Sequence, residues 1–122
     1  MVTIEQERAK AAFAFAETAN KSKGAKEYSS HAKKAPMYIL NNGLINFLAF
    51  AHQKGKEWGI LSDNIREWFE KHDPKEILRT QLANNKDPFV KIIAELKNEE
   101  TLRLVTAETL SLLAWLDRKS VV

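Results

Sequence analysis

Apolar residues along the chain recur at helical spacing, and no stretch alternates apolar and polar positions as a half-buried strand does. This pattern predicts an all-α protein, a single compact bundle of about six to seven helices over residues 1–122. Thr3 followed by Gln6 has the capping-box pattern and opens a first helix through the Ala-rich segment 9–16 to about Asn20, where Lys21-Ser22-Lys23-Gly24 ends it. A short helix from about Ala25 to Lys34 should stop before Pro36, because the residue preceding proline is pushed out of the helical region. Pro36 then suits the first turn of the next helix. That next segment, Met37 to Ala51, has 11 apolar residues of 15 distributed all round the helix, which predicts a buried hub. Asn42-Gly43 either breaks it in two or kinks it.

Lys54-Gly55-Lys56 closes the hub. A helix over about Trp58 to Lys71 carries Leu61, Ile65, Trp68 and Phe69 as a one-sided stripe. Asp73-Pro74 and Asp87-Pro88 each read as an N-cap followed by proline in the first helical position, so two further helices are expected there. The first holds Ile77, Leu78 and Leu82, and the second Phe89, Ile92, Ile93 and Leu96. Asn98 caps the last helix, about Glu99 to Arg118, whose Leu102, Val105, Leu112, Leu113, Trp115 and Leu116 make it the second heavily buried element.

Two charges interrupt the apolar faces. On a helical wheel Arg8 falls inside the arc of Ile4, Ala12, Phe15 and Ala19, and Glu108 falls between Leu112 and Trp115. A charge on an apolar face must be paired or it costs heavily. The simplest solution is a structural ion pair, Arg8 with Glu108, joining the first helix to the last. The alternative is that one of the two reaches a partner or RNA.

Composition narrows the chemistry. There is no cysteine, which removes disulfides and thiol or cluster chemistry and suits a reducing interior. The first residues carry acids where a signal peptide needs a basic start and an apolar run, and the most apolar stretch is too short and too polar to span a bilayer, so a soluble, cytoplasmic protein is expected. His31, His52 and His72 are widely spaced, and neither His31 nor His52 has a metal-ligand partner at i+3 or i+4. No phosphate loop, nucleophile elbow or calcium loop occurs. The expectation is a non-enzyme without metal or cofactor.

Charge is unevenly placed. Residues 1–60 hold nine Lys/Arg against five acids, whereas residues 61–122 hold ten against eleven. Between Lys21 and Lys56 seven lysines (Lys21, Lys23, Lys26, Lys33, Lys34, Lys54 and Lys56) face one acid, Glu27, an excess that attracts polyanions. The plain alternative is a solvated face. Lys26, Lys33, Lys34, Lys54 and Lys56 flank the hub and should project from its two ends. Tyr28 and Tyr38 flank the same segment; aromatic residues at helical spacing are core by default, with base stacking as the alternative.

Four short segments occur in a family-like order: Glu5-Gln6-Glu7-Arg8-Ala9; Lys26-Glu27-Tyr28 through Lys33-Lys34-Ala35-Pro36; Asn42-Gly43-Leu44 leading to Leu48-Ala49-Phe50; and Thr106-Ala107-Glu108-Thr109-Leu110 through Leu113-Ala114-Trp115-Leu116-Asp117-Arg118. With these the chain resembles, over essentially its whole length, the small all-helical subunit of the type III-B CRISPR effector, the Cmr complex of RNA silencing. The resemblance implies a non-catalytic subunit of a ribonucleoprotein in antiviral defence. Such a subunit stacks in copies along the inner side of a filament, beside the backbone subunits that hold the guide RNA. There it helps form a basic groove for target RNA, while other subunits cleave. The family motifs supply no base-reading residues, so the seven lysines are chosen by charge alone. A helical adaptor that binds only protein would share the composition, and an RNA-binding regulator acting alone would share the basic half.

Overall fold

In the computed structural model, which describes residues 2–120, the chain forms seven α-helices and one 3-10 turn, with no strand among the described residues. The single-domain reading of residues 1–122 extends to residues 1, 121 and 122, which lie outside the described residues. Helix α1 spans Ile4–Asn20, α2 Ala25–Asn42, α3 Leu44–Lys54 and α4 Lys56–Lys71. A 3-10 turn, Pro74–Glu76, leads to α5, Arg79–Leu82; α6 is Phe89–Ala94 and α7 is Glu99–Ser120.

The start of α1 follows from its capping box: Gln6 N–H donates to Thr3 Oγ1 at 3.1 Å while Thr3 N–H donates to Gln6 Oε1 at 2.8 Å. Its buried positions are Ala12, Ala16 and Ala19, small side chains that let α7 lie close along it. At the other end of the chain Asn98 Oδ1 accepts from Glu100 N–H at 2.8 Å, the expected cap of α7.

Helix α2 departs from the local rules. Rather than stopping near Lys34, it runs through Pro36 to Asn42. An interior proline costs about 3 kcal/mol through a lost hydrogen bond and ring crowding. Against that, α2 buries Tyr28, Ala32, Ala35 and Ile39 on one face, and truncating a single large core side chain costs about 2–5 kcal/mol. Continuation therefore wins, because residues on both sides of the proline belong to one buried stripe.

The hub helix is not a single element. Gly43, at φ +88° and ψ 158°, separates α2 from α3 in a region of backbone space that only glycine occupies comfortably. The chain folds back there, so that Tyr38 of α2 packs against Phe47 and Phe50 of α3. Nor is the segment buried all round. Leu44, Phe47, Leu48 and Ala51 enter the core, but Met37 is 60% and Leu40 67% exposed, because both lie on the face of α2 opposite its buried stripe.

The two proline starts also differ from expectation. Pro74 opens only the 3-10 turn, and the Asp73 carboxylate accepts from Leu78 N–H at 2.9 Å instead of capping a helix. Pro88, with ψ 144°, is itself the last non-helical residue before α6, so Asp87 lies outside the helix start. The α4 stripe packs as its spacing implies: Leu61, Ile65, Trp68 and Phe69 are all buried. They join Leu78, Ile93, Val105, Leu112, Leu113 and Leu116 in one core.

Candidate nucleic-acid interface

Two groups of charged side chains behave differently in this fold. The first lies between α1 and α7. Arg8 Nε and Nη2 donate to the two carboxylate oxygens of Glu108, each at 2.7 Å, a bidentate arrangement with Glu108 only 7% exposed and Arg8 15%. Trp68 of α4 adds its indole N–H to Glu108 Oε2 at 3.0 Å. Arg8 Nη1 donates to Glu5, which also accepts from the Trp115 indole at 3.2 Å. The Glu108 hydrogen bonds raise the Arg8 pKa further above its ordinary value, and hydrogen bonds from Arg8 and then Trp115 lower that of Glu5. Every carboxylate oxygen in this cluster is engaged, so the charge ties α1, α4 and α7 together. Trp115 shares the Glu108 face of α7, two turns on, but Trp68 belongs to α4, and no spacing rule links it to the Arg8–Glu108 pair.

The second group is the lysines, all seven of which are exposed. Lys21 and Lys23 lie in the α1–α2 turn, Lys26, Lys33 and Lys34 on α2, and Lys54 and Lys56 on either side of Gly55. They do not project from the two ends of one helix. Because α2 continues past Lys34 and α3 folds back, the lysine-bearing segments instead meet at the first turn of α4. Glu57 packs against Gly24, where a β-carbon would stand 2.4 Å from its carboxyl group. Trp58 stacks on His31 of α2 at 3.8 Å between ring centroids, and meets Phe50 of α3 edge-on at 5.1 Å. Lys23 and Lys26 lie within two residues of Gly24, Lys34 is three residues from His31, and Lys54 is one turn past Phe50. Lys56 directly precedes Glu57. Lys33 shares the outward face of α2 with Lys26, two turns away, and Lys21 sits 3.9 Å from Glu17.

Only glycine suits the α3–α4 corner, since Gly55 adopts φ +65° and ψ −154°. The two tyrosines divide. Tyr28 is buried and its hydroxyl oxygen accepts from Asn64 Nδ2 at 2.7 Å; burial pushes its pKa up to about 12, so it is a core residue. Tyr38 is half-buried, stacked on Phe50 at 5.1 Å.

The remaining histidines hold no metal-like arrangement. His52 is exposed, and His72 stacks on Trp68 with Nδ1 3.6 Å from Glu7. No cluster of three His, Asp or Glu side chains suited to a metal occurs among the described residues. No described helix is long and apolar enough to cross a membrane.

The family model of CRISPR-associated protein (Cas_Cmr5) matches residues 4–121. The chain belongs to this family. A Cas_Cmr5 protein is a small subunit of the Cmr complex in CRISPR defence, and it associates with the other Cmr subunits. Both the α1–α7 clamp and the lysine junction fall within the matched span.

A further anchor escaped the sequence reading. Arg66 of α4 donates to the carbonyl oxygens of Asp87 and Asn85, each at 2.6 Å, which ties the segment before α6 to the bundle. Carbonyl acceptors leave no side-chain signature, so no motif marks this contact.

Proposed function

We propose that this Cas_Cmr5 protein is a non-catalytic subunit that lines the target-RNA channel of its effector complex with the lysines around the start of α4. In an RNA-guided complex the sequence is read by base pairing, and a protein subunit need supply only phosphate contacts and shape. The observation that carries this reading is the convergence of lysines from three separate segments, the α1–α2 turn, α2 and the α3–α4 corner, on one junction. Copies of the subunit stack along the inner side of the filament, where repetition turns weak single contacts into useful affinity. Supporting this assembly role, Met37 and Leu40 stand exposed on α2, and a groove of about 660 Å³ lined by Leu44, Ile45, Leu102 and Leu110 opens between α3 and α7. The complex acts in the cytoplasm, and cleavage belongs to other subunits.

Each phosphate neutralised on single-stranded RNA contributes about −0.7 to the log–log salt slope, so a subunit touching roughly three phosphates has a slope near −2. Charge reversal at Lys33 and Lys34 together, or at Lys54 and Lys56 together, weakens target binding by the assembled complex equally for all sequences, with assembly and guide pairing intact. Unchanged affinity and salt dependence in complexes that assemble normally would refute the RNA role and leave a structural spacer.

A further inference from the structure

Four half-buried rings gather beside the lysines. His31, Lys34 and Tyr38 share one flank of α2, at i, i+3 and i+7. Phe50 of α3 and Trp58 of α4 pack against that flank. His31 and Trp58 are nearly parallel, with 8° between their planes, and Tyr38 and Phe50 stack with 25° between theirs. Tyr38 and Trp58 also touch the core, but Phe50 rests on those two rings outside it. Lys54 holds its ammonium 5.8 Å from the centre of the Phe50 ring.

We propose that this aromatic cluster, rimmed by Lys34 and Lys54, is a stacking site for an unpaired base of single-stranded RNA. The inference rests on the reading that this surface meets RNA. Aromatic rings stack any base, since every base has a π-face, and the nearby lysines supply the phosphate contacts that the rings cannot. The cation–π contact of Lys54 is worth only about 0.5–1 kcal/mol at an exposed site, so the ammonium moves from Phe50 to a phosphate at little cost. Charge around His31 is mixed: Lys34 approaches it, but so do Glu57 and Glu27. The two carboxylates disfavour a phosphate beside the imidazole but not a neutral base. Burial, and then Lys34, lower the His31 pKa, so the ring is an uncharged stacking surface at neutral pH.

The test measures binding of a short oligouridine to the full-length chain at low salt, beside an abasic oligomer of the same length and charge. Phe50→Leu is expected to weaken oligouridine binding about tenfold, within the range for loss of one base stack, with the salt slope and the abasic affinity unchanged. Phe50→Tyr keeps an aromatic face and is expected to bind as the wild type does. Lys34→Glu with Lys54→Glu is expected to flatten the salt slope for both oligomers. If Phe50→Leu leaves oligouridine binding unchanged while the lysine variant loses it, the stacking site is refuted and the lysine role stands. If neither variant matters, both are refuted. If Phe50→Leu instead reduces incorporation into the complex with RNA binding intact, the cluster is a protein contact and the inference falls. Retained helical circular dichroism separates each result from unfolding.

Discussion

The α1–α7 clamp and the junction at the start of α4 use charge in opposite ways. Arg8 and Glu108 are withdrawn from water and meet each other, Glu5 and Trp68 with every strong hydrogen bond made. The lysines at the junction stay exposed, spread over three segments, and touch rings and a few acids. In the clamp Glu108 depends on one cation, Arg8, and removing it leaves the buried carboxylate with only the Trp68 indole, whereas Arg8 also has Glu5. At the junction a lysine is solvated whether or not anything binds. The first arrangement decides whether the bundle holds together, and the second leaves positive potential available to a polyanion at little cost to folding.

The sharpest break in this comparison comes from the clamp itself. Replacing Arg8 by Met, or Glu108 by Met, leaves the other charge in a poorly solvated place and is expected to cost about 3 kcal/mol. This lies at the lower end of the range for buried pairs because Arg8 retains some contact with water. Replacing both is expected to cost clearly less than the two losses added together. Denaturant melts of the two single variants and the double variant measure this directly, and additive penalties would show that the pair is not coupled.

Next in size is the corner that presents Lys54 and Lys56. A β-carbon at Gly55 has open space around it, so Gly55→Ala meets no clash, yet it must adopt φ +65° and ψ −154°. The expected cost is about 1–3 kcal/mol of backbone strain, read from the shift in denaturant midpoint. A neutral Gly55→Ala would mean that the α3–α4 corner relaxes easily and does not fix the positions of its lysines.

A pH effect follows from His31, with Lys34, Glu57 and Glu27 as its charged surroundings. Its pKa is lower in the folded chain than the ordinary 6.5, so the unfolded chain takes up the proton first. This contribution to stability is complete above about pH 6.5 and is lost as pH falls below it toward the lower folded value. His31→Phe, which keeps a ring on Trp58, should remove that part of the acid loss, as thermal melts across the acid range would show. A wild-type curve that is flat through this range would contradict it.

The smallest effect is expected from the lysines. Reversing Lys33 and Lys34 should change folding stability by no more than about 0.5 kcal/mol per residue, since exposed substitutions away from caps and cores usually do little, and reversing Lys54 and Lys56 by about 1 kcal/mol at most, because an acid at the end of α3 opposes the helix dipole. A loss as large as that of the clamp variants would erase the distinction between the two regions and assign the lysines an internal role.

By itself the sequence determined the class of fold and much of its detail. Helical spacing, the Thr3–Gln6 capping box, the Asn98 cap and the Leu61–Phe69 stripe depend on neighbours three or four residues apart, and such interactions are written in order along the chain. The wheel positions of Arg8 and Glu108 likewise exposed a need for partners. Local rules failed where a distant surface outweighed a neighbour. Pro36 should end a helix, but the core spanning Tyr28 to Ile39 holds it straight through. Met37 and Leu40 look buried in a run of apolar residues, yet they lie on the exposed side of α2, away from its buried stripe. Only the tertiary structure decided that Trp68 and Trp115 complete the clamp and that Arg66 anchors the segment before α6. It alone brought His31, Tyr38, Phe50 and Trp58 together beside the lysines. These four residues come from three helices, α2, α3 and α4, and the turns at Gly43 and Gly55 set how those helices return on one another. No periodicity within a single segment carries that information, because the partners are fixed by the packing of whole faces rather than by spacing along the chain.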